Sequence, residues 1–178
     1  MVIPRIVSKH IIFLGLGTNI GDRLANLRAA VLALPPEVNP LACSQVYETT
    51  PWGFSDQPDF LNQVVKAGTD LEPLDLIRFL NTLENELGRE PTFKYGPRLI
   101  DIDILFYDNL VFKTENLTIP HPRVTERAFV LVPLADLSPH FRHPESNVSI
   151  HDLISKLDST GIRWYARSDC GKIINNLS

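Results

Sequence analysis

Gly96-Pro97-Arg98-Leu99-Ile100-Asp101-Ile102-Asp103-Ile104-Leu105 is the stretch of sequence that most constrains the fold. Its alternation of polar and apolar residues predicts a β-strand, which we place over Leu99–Tyr107. Alternate residues of a strand share one face, and each residue adds about 3.3 Å. Asp101 and Asp103 are therefore predicted to point to the same side, with the isoleucines between them filling the opposite side.

Two carboxylates in an apolar strand are costly to desolvate unless they meet cations. Mg²⁺ prefers oxygen ligands and commonly completes its coordination with substrate phosphates, so Asp101 and Asp103 are candidate metal ligands. The alternative is an exposed sheet face with two solvated acids, because Asp-x-Asp occurs often by chance. Arg98, in a stiff Gly-Pro context, favours a phosphate site over that alternative.

The surrounding pattern predicts a mixed α/β fold of the α+β type. We predict strands over His10–Gly17, stopped by its glycines, and over Leu41–Thr49, Leu61–Thr69 and Leu110–Phe112, with helices over Gly21–Leu34, Pro73–Leu87, Ala128–Leu137 and Ile150–Leu157. The order matches a ferredoxin-like β-α-β-β-α-β core, an antiparallel sheet with helices packed on it. Two long polar loops, 50–59 and 88–98, are candidate lids, and the chain after Asp158 is expected to fray.

Composition limits the class of protein. The chain has 178 residues, 44% hydrophobic and 21% charged, which predicts a single globular domain over 1–178, with too few residues after Leu157 for a second catalytic domain. The net charge of −4 argues against a general nucleic-acid or membrane-surface binder. We find no apolar run of membrane-spanning length and no signal-peptide pattern. Cys43 and Cys170 form no disulfide framework or zinc pattern, so a reducing cytoplasm is expected, with Cys43 a small core residue.

Several motifs together resemble those of one enzyme family. They are Phe-Leu-Gly-Leu-Gly-Thr-Asn-Ile-Gly-Asp (13–22), Tyr-Glu-Thr-Thr-Pro (47–51), Gln-Pro-Asp-Phe-Leu-Asn (57–62), Glu-Asn-Glu-Leu-Gly-Arg (84–89), the stretch 96–105, Pro-His-Pro (120–122) and Arg-Ala-Phe-Val-Leu-Val-Pro-Leu (127–134). Over about residues 10–157, the chain resembles 6-hydroxymethyl-7,8-dihydropterin pyrophosphokinase of folate biosynthesis. The resemblance implies transfer of pyrophosphate from ATP to the pterin's 6-hydroxymethyl oxygen with release of AMP, two Mg²⁺ ions, a ferredoxin-like fold and a monomer.

The resemblance also implies roles for individual residues. Catalysis would rest on Arg89, Arg98, Asp101 and Asp103, with both aspartates binding metal. ATP would contact Asn81, Glu84, Arg98, Ile104, Thr118, His121 and Arg127. The pterin would contact Thr49, Thr50, Trp52, Phe60, Asn62, Asp101 and Phe129, with the two phenylalanines as the stacking faces.

Without the resemblance, several of these residues have an ordinary structural explanation. Arg89 could be a cation at the end of a helix, Asn81 and Glu84 could lie on a solvated helical face, and His121 could be a turn residue. Phe60 and Phe129 could be core residues, and Asn62 a second turn residue.

Two motifs are set aside. The glycines of Gly15–Gly21 partly resemble a dinucleotide fingerprint, but Ser44-Gln45 stands where its acidic residue belongs. His140, His143 and His151 are too loosely spaced for a metal site.

Two other functions compete with pyrophosphoryl transfer. A two-metal phosphohydrolase would need further metal ligands, and no third carboxylate motif is evident. A ferredoxin-like regulatory module would have no need to combine the arginines, the aspartate pair and His121.

Overall fold

The structure is a computed structural model that describes residues 8–51, 53, 55–91 and 96–177. These residues form strands β1 (His10–Thr18), β2 (Val38–Cys43), β3 (Val46–Thr49), β4 (Phe60–Thr69), β5 (Asp101–Tyr107), β6 (Phe112–Lys113), β7 (Thr118–Ile119) and β8 (Ile162–Ala166). They also form helices α1 (Arg23–Ala33), α2 (Pro73–Glu86), α3 (Ala128–Leu137), α4 (Ile150–Ile154) and α5 (Cys170–Leu177), and a 3-10 turn (Val124–Glu126).

The main sheet has the strand order β5-β1-β4-β3-β8, and β2 also pairs with β4 in line with β3. All of its neighbouring strands are antiparallel. With β2 and β3 counted as one interrupted strand, the first six elements follow the predicted β-α-β-β-α-β path. The predicted ferredoxin-like α+β fold is therefore confirmed.

Helices cover the two faces of the sheet unequally. α1, α2 and α5 pack on one face, where Leu27, Leu80 and Ile104 are among the buried core residues. α3 and α4 pack on the other face, over Val64 and Phe106. That second layer stops short of one end of the sheet, so the ends of β1, β4 and β5 are left uncovered there.

Local sequence signals explain where the helices begin. The Asp22 side chain accepts a hydrogen bond from the backbone N–H of Ala25 at 3.0 Å, which caps α1. Pro73 opens α2, where it needs no hydrogen-bond donor, and Leu76, Leu80 and Leu83 form the buried stripe. α3 spans the predicted residues with Pro133 inside it.

The prediction of one continuous strand over Leu41–Thr49 was wrong, because the structure has two strands there, β2 and β3. The interruption lies at Ser44, whose hydroxyl accepts a hydrogen bond from the backbone N–H of Val64 at 2.9 Å. A side-chain oxygen thereby takes the place of a backbone acceptor in the ladder. The chain shifts register at this point before β3 resumes pairing with β4.

The segment after Asp158 is ordered as β8 and α5, so the expectation that it frays was wrong. β8 pairs with β3 through backbone hydrogen bonds. Residues of almost any type can form these bonds, so the pairing needs no hydrophobic pattern by which the sequence could predict it. In α5, Cys170 and Ile173 are buried against the core.

Cys43 and Cys170 form a disulfide, with their Cα atoms 5.8 Å apart, which corrects the expectation of two unpaired thiols. The bond joins the end of β2 to the start of α5 across 127 residues of sequence. The two cysteines meet because α5 packs against β2.

The helices of the described residues include none that is both long and apolar enough to cross a membrane.

Candidate active site

Two glycines of β1 form the floor of a cleft at the uncovered end of the sheet. Gly17 lies between Asn62 of β4 and Asp101 of β5 in the strand register. Gly15 lies in the same way between Val64 and Asp103. The strand continues through both glycines to Thr18, so the prediction that glycine stops it was wrong.

Because glycine has no side chain, the space above Gly15 and Gly17 stays open. A Cβ atom on Gly15 would lie 3.2 Å from Cδ2 of Leu105, and one on Gly17 would lie 3.4 Å from Oδ1 of Asn62. Larger residues at these positions would displace their neighbours or fill the space between the carboxylates and β4.

The cleft above the floor has a volume of about 180 Å³. Asp101 and Asp103 both line it, which confirms that they share one face of the strand. Eight other residues with sequence-predicted roles line it as well: Thr49, Thr50, Phe60, Asn62, Arg98, His121, Arg127 and Phe129. Gln63, which follows Asn62, also lines the cleft.

Asp101 is held by two arginines. Arg98 Nη1 lies 2.6 Å from Asp101 Oδ1, and Arg89 Nη2 lies 3.2 Å from the same oxygen. Because these charge-assisted contacts converge on one oxygen, they fix the carboxylate and hold two guanidinium groups at the cleft.

Asp103 faces a different pair of side chains. Its Oδ2 lies 3.2 Å from Arg127 Nη1 and 3.7 Å from His121 Nε2. Loss of hydration in the cleft, together with the nearby charge of Asp101, raises the pKa of Asp103, while Arg127 and Arg98 oppose the shift. The paired acids therefore repel one another and favour the arrival of a cation.

His121 is neutral at physiological pH. Burial and then the charge of Arg127 lower its pKa to about 4. Its Nδ1 accepts a hydrogen bond from the backbone N–H of Arg123 at 3.1 Å, so the neutral ring is assigned its proton on Nε2, toward Asp103. His121 can therefore donate a hydrogen bond into the cleft.

Glu84 lies behind the cleft, where it supports Arg89 and β5. Its side chain is 3% exposed. One carboxylate oxygen pairs with Arg89 Nη1, and the other accepts a hydrogen bond from the backbone N–H of Ile102 at 2.5 Å. Burial raises the pKa of Glu84, which the hydrogen bond from Ile102 and the charge of Arg89 counter.

The opposite wall of the cleft is partly apolar. Phe60 and Phe129 line it from β4 and α3, and the Arg127 guanidinium lies 5.7 Å from the centre of the Phe129 ring. Asn62 Nδ2 donates to Thr49 Oγ1 at 2.7 Å, and this orients the amide while leaving Oδ1 toward Gly17. The wall thus offers ring faces next to polar atoms with fixed orientations.

A second cavity of about 200 Å³ adjoins the cleft. It is lined by Asn85, Arg89, Glu90, Pro91 and Arg98. Arg98 lines both cavities, so the two cavities meet at this residue.

Five of the predicted site residues that the structure describes do not line the cleft. Arg89 lines the second cavity instead. Asn81 is exposed on α2, Glu84 is buried as described, and Thr118 lies on β7. The Ile104 side chain is buried in the core on the opposite face of β5. Trp52 lies outside the described residues.

Sequence reasoning missed two residues at this site. Asn19, which is 2% exposed, binds both polar loops, and only its place after the glycines of β1 hinted at a role. Asn85 lines the second cavity one helical turn after Asn81, and that spacing was an available signal.

The described residues contain no cluster of three or more His, Cys, Asp or Glu side chains that could hold a metal by themselves. Asp101 and Asp103 form a two-carboxylate donor set, which suits a metal that also binds phosphate and water.

Comparison with known proteins defines the class. The family model described as 7,8-dihydro-6-hydroxymethylpterin-pyrophosphokinase (HPPK) matches residues 13–139. The chain therefore belongs to the HPPK family, as the motifs predicted.

Two bacterial relatives resemble the chain over most of both lengths. The 2-amino-4-hydroxy-6-hydroxymethyldihydropteridine pyrophosphokinase of Methylorubrum extorquens is 43% identical, over 84% of this chain and 95% of the relative. The enzyme of the same name from Aquifex aeolicus is 43% identical, over 75% of this chain and 83% of the relative.

Other similar proteins are much longer. Folic acid synthesis protein FOL1 of Dictyostelium discoideum is 40% identical over 86% of this chain, which spans only 23% of that protein. A crystal structure of Plasmodium falciparum HPPK-DHPS has a TM-score of 0.69 at 19% identity, covering 84% of this chain and 46% of that one. At that identity, the structural likeness supports the fold alone.

Proposed function

We propose that the protein transfers pyrophosphate from ATP to the 6-hydroxymethyl group of 6-hydroxymethyl-7,8-dihydropterin, releasing AMP, in tetrahydrofolate biosynthesis. The observation that carries this proposal is the placement of Asp101, Asp103 and Arg98 in one cleft with Phe60 and Phe129. A site for polyphosphate chemistry thereby lies next to a site for a flat, polar-edged ring.

The cationic side of the cleft suits the triphosphate of ATP. Arg89, Arg98 and Arg127 carry planar groups that can bind phosphate oxygens in pairs. Phosphoryl-group transfer depends on position and positive charge more than on a covalent nucleophile. We assign Arg89 and Arg98 to stabilising the charge that develops on the transferred group. We assign His121 and Arg127 to binding the nucleotide.

The second cavity and its surroundings are the proposed nucleotide side of the site. Arg98 connects the cavity to the cleft, so a triphosphate could pass along this arginine from one to the other. Glu84 supports this side by holding Arg89 rather than by offering a free oxygen to ATP. Asn81, Ile104 and Thr118 remain proposed nucleotide contacts on the strength of the family resemblance.

The apolar side suits the pterin. Phe60 and Phe129 would stack on the faces of the ring, and Asn62 would pair with its amide edge, supported by Thr49. Thr50 lines the same cleft, and Trp52 is proposed as a contact from the resemblance. The substrate hydroxymethyl group would then face Asp101 and the phosphates.

Two Mg²⁺ ions are the proposed cofactors, and Asp101 and Asp103 are the residues that would hold them. The fit rests on two oxygen-donor side chains in one cleft and on the raised pKa of Asp103, which reflects loss of hydration and the nearby negative charge of Asp101. When bound, Mg²⁺ would neutralise phosphate charge and polarise the phosphorus under attack.

We also propose a single domain over 1–178, a monomer and a cytoplasmic location, with ATP and the pterin as small-molecule partners and no nucleic-acid or membrane partner. The monomer is proposed from the family resemblance. The cytoplasmic location was expected because the sequence shows no disulfide framework, but Cys43 and Cys170 are paired. The use of ATP is the remaining support for that location.

Product analysis tests the proposed function. The protein is mixed with Mg-ATP and the hydroxymethyl dihydropterin, and the phosphorus products are separated and quantified. Equal amounts of AMP and pterin pyrophosphate support the proposal. ADP would indicate ordinary kinase action, free phosphate would indicate hydrolysis, and no turnover would indicate a binding module.

A further inference from the structure

The C-terminal segment, residues 158–177, lies beyond the residues matched by the family model, yet it adjoins the cleft. Its strand β8 pairs with β3 so that Ile162 lies opposite Thr49 and Arg163 lies opposite Glu48. Gly161 is close enough to the start of the 50–59 loop that an added Cβ would lie 3.1 Å from Thr50 Oγ1. Thr49 and Thr50 line the cleft, so the segment lies directly beside them, with β8 as the neighbouring edge strand of the sheet.

Arg163 connects this segment to both ends of the 50–59 loop. Its Nη2 lies 3.1 Å from Glu48 Oε2 and 3.1 Å from Asp59 Oδ2. Arg23 makes a parallel connection, with Nη2 3.0 Å from Glu48 Oε1 and Nη1 2.7 Å from the Asp59 carbonyl. We call these four residues the loop-base network.

The network fixes the positions from which two cleft residues project. Glu48 directly precedes Thr49, and Asp59 directly precedes Phe60. Both Thr49 and Phe60 line the cleft. Single exposed ion pairs contribute little, but this network joins four charged groups from four different parts of the chain. Arg23, Glu48 and Asp59 are largely shielded, with side chains 23%, 20% and 34% exposed, whereas Arg163 itself is 64% exposed.

The rest of the segment is anchored independently of the network. The disulfide ties α5 to β2, and Arg28 Nη1 lies 3.1 Å from Asp169 Oδ2. Ser168 Oγ accepts a hydrogen bond from Gln63 Nε2 at 2.9 Å. Removing the Arg163 side chain therefore weakens the loop-base network without detaching the segment, while Arg23 still contacts Glu48 and Asp59.

We infer that the C-terminal segment is part of the substrate site, and that Arg163 is a positioning residue that sets the pterin-binding wall through Glu48 and Asp59. This inference rests on the proposed pyrophosphokinase function. Arg163 touches no cleft atom itself, so its effect is expected on pterin binding and not on the chemical step.

The test compares three variants of the full chain in the AMP-release assay. Arg163→Ala is expected to raise the KM for the pterin about three- to fivefold, with kcat and the KM for ATP within about twofold of wild type. Arg163→Lys keeps the cation and is expected to restore most of the lost affinity. Arg28→Ala removes another exposed ion pair to the same segment, and it is expected to leave the pterin KM unchanged.

A second readout does not need turnover. Amide hydrogen exchange of the ligand-free protein is expected to be faster over residues 48–50 and 59–62 in Arg163→Ala than in Arg28→Ala. Unchanged exchange there, or equal pterin KM values in the two alanine variants, would overturn the inference. A wild-type protein that releases no AMP would overturn the proposed function instead, while the exchange result would still test the loop-base network.

Discussion

Asn19 Oδ1 accepts a hydrogen bond from the backbone N–H of Arg98 at 2.8 Å, and the Asn19 N–H donates to the Arg98 carbonyl at 3.0 Å. The same side chain donates through Nδ2 to Gln57 Oε1 and to the Pro58 carbonyl, both at 3.0 Å. One buried amide at the end of β1 therefore holds the 50–59 loop and the approach to β5 together.

Asn19→Ala is expected to lower both stability and activity. The substitution removes the partner of the Arg98 N–H and of the Pro58 carbonyl in two part-buried hydrogen bonds, and each such loss costs about 0.5–1.5 kcal/mol. Because Arg98 would also move relative to Asp101, kcat/KM is expected to fall about tenfold to a hundredfold. Urea denaturation and steady-state kinetics measure the two effects.

Asn26→Ala is the matched control. Asn26 makes two local hydrogen bonds, to Thr18 Oγ1 and the Ile20 carbonyl, and it contacts neither loop. A loss of activity in Asn26→Ala as large as in Asn19→Ala would show that the effect is general destabilisation.

The disulfide gives a second prediction. Cys170→Ser is expected to lower the free energy of unfolding by about 2–4 kcal/mol, because the bond closes a loop of 127 residues in the unfolded chain. Urea denaturation with and without a reducing agent measures the difference. The reducing agent should destabilise the wild type and leave the variant unchanged. Two freely titratable thiols in the air-oxidised native wild type would contradict the pairing.

His143 predicts a pH dependence of stability. Its side chain is buried, its Nδ1 accepts hydrogen bonds from the backbone N–H groups of Glu145 and Ser146, and burial lowers its pKa below the ordinary value of 6.5. The unfolded chain therefore binds the proton more readily. This contribution to stability is fully present above pH 6.5 and is lost as the pH falls below that value.

His143→Asn should reduce that pH dependence, because an amide oxygen can accept the same hydrogen bonds without titrating. His140→Asn, at an exposed position, serves as the control. Chemical denaturation at several pH values between about 5 and 8 gives the slopes. Equal slopes for wild type and His143→Asn would contradict the assignment.

Asp103→Asn is expected to abolish AMP release, with a loss of at least about 10³-fold, while the protein stays folded. The pKa of Asp103 is raised in the folded protein, so its charge at neutral pH works against folding. The melting temperature of the variant should therefore equal or exceed that of wild type. Asp75→Asn, which removes an exposed acid on α2, should keep full activity. Full activity of Asp103→Asn would refute a metal role.

The sequence could predict features that depend on local periodicity. The shared face of Asp101 and Asp103 follows from the two-residue period of a strand, and α2 follows from its leucine stripe. The side on which Ile104 lies follows from the same period, which places it in the core and away from the cleft.

Features that depend on contacts between distant segments could not be predicted in this way. The pairing of β8 with β3 uses backbone groups that every residue carries. The disulfide forms only because α5 packs on β2, and the role of Asn19 exists only once both loops are in place. None of these leaves a spacing that one sequence reveals.

The central claim is that the carboxylates of Asp101 and Asp103 jointly bind magnesium carried by ATP. A crystal structure of the protein with Mg²⁺, a non-hydrolysable ATP analogue and the hydroxymethyl dihydropterin measures this directly. We expect metal coordinated by oxygens of both aspartates and of the phosphates, with the pterin between Phe60 and Phe129. Metal-bound triphosphate located away from either aspartate would contradict it.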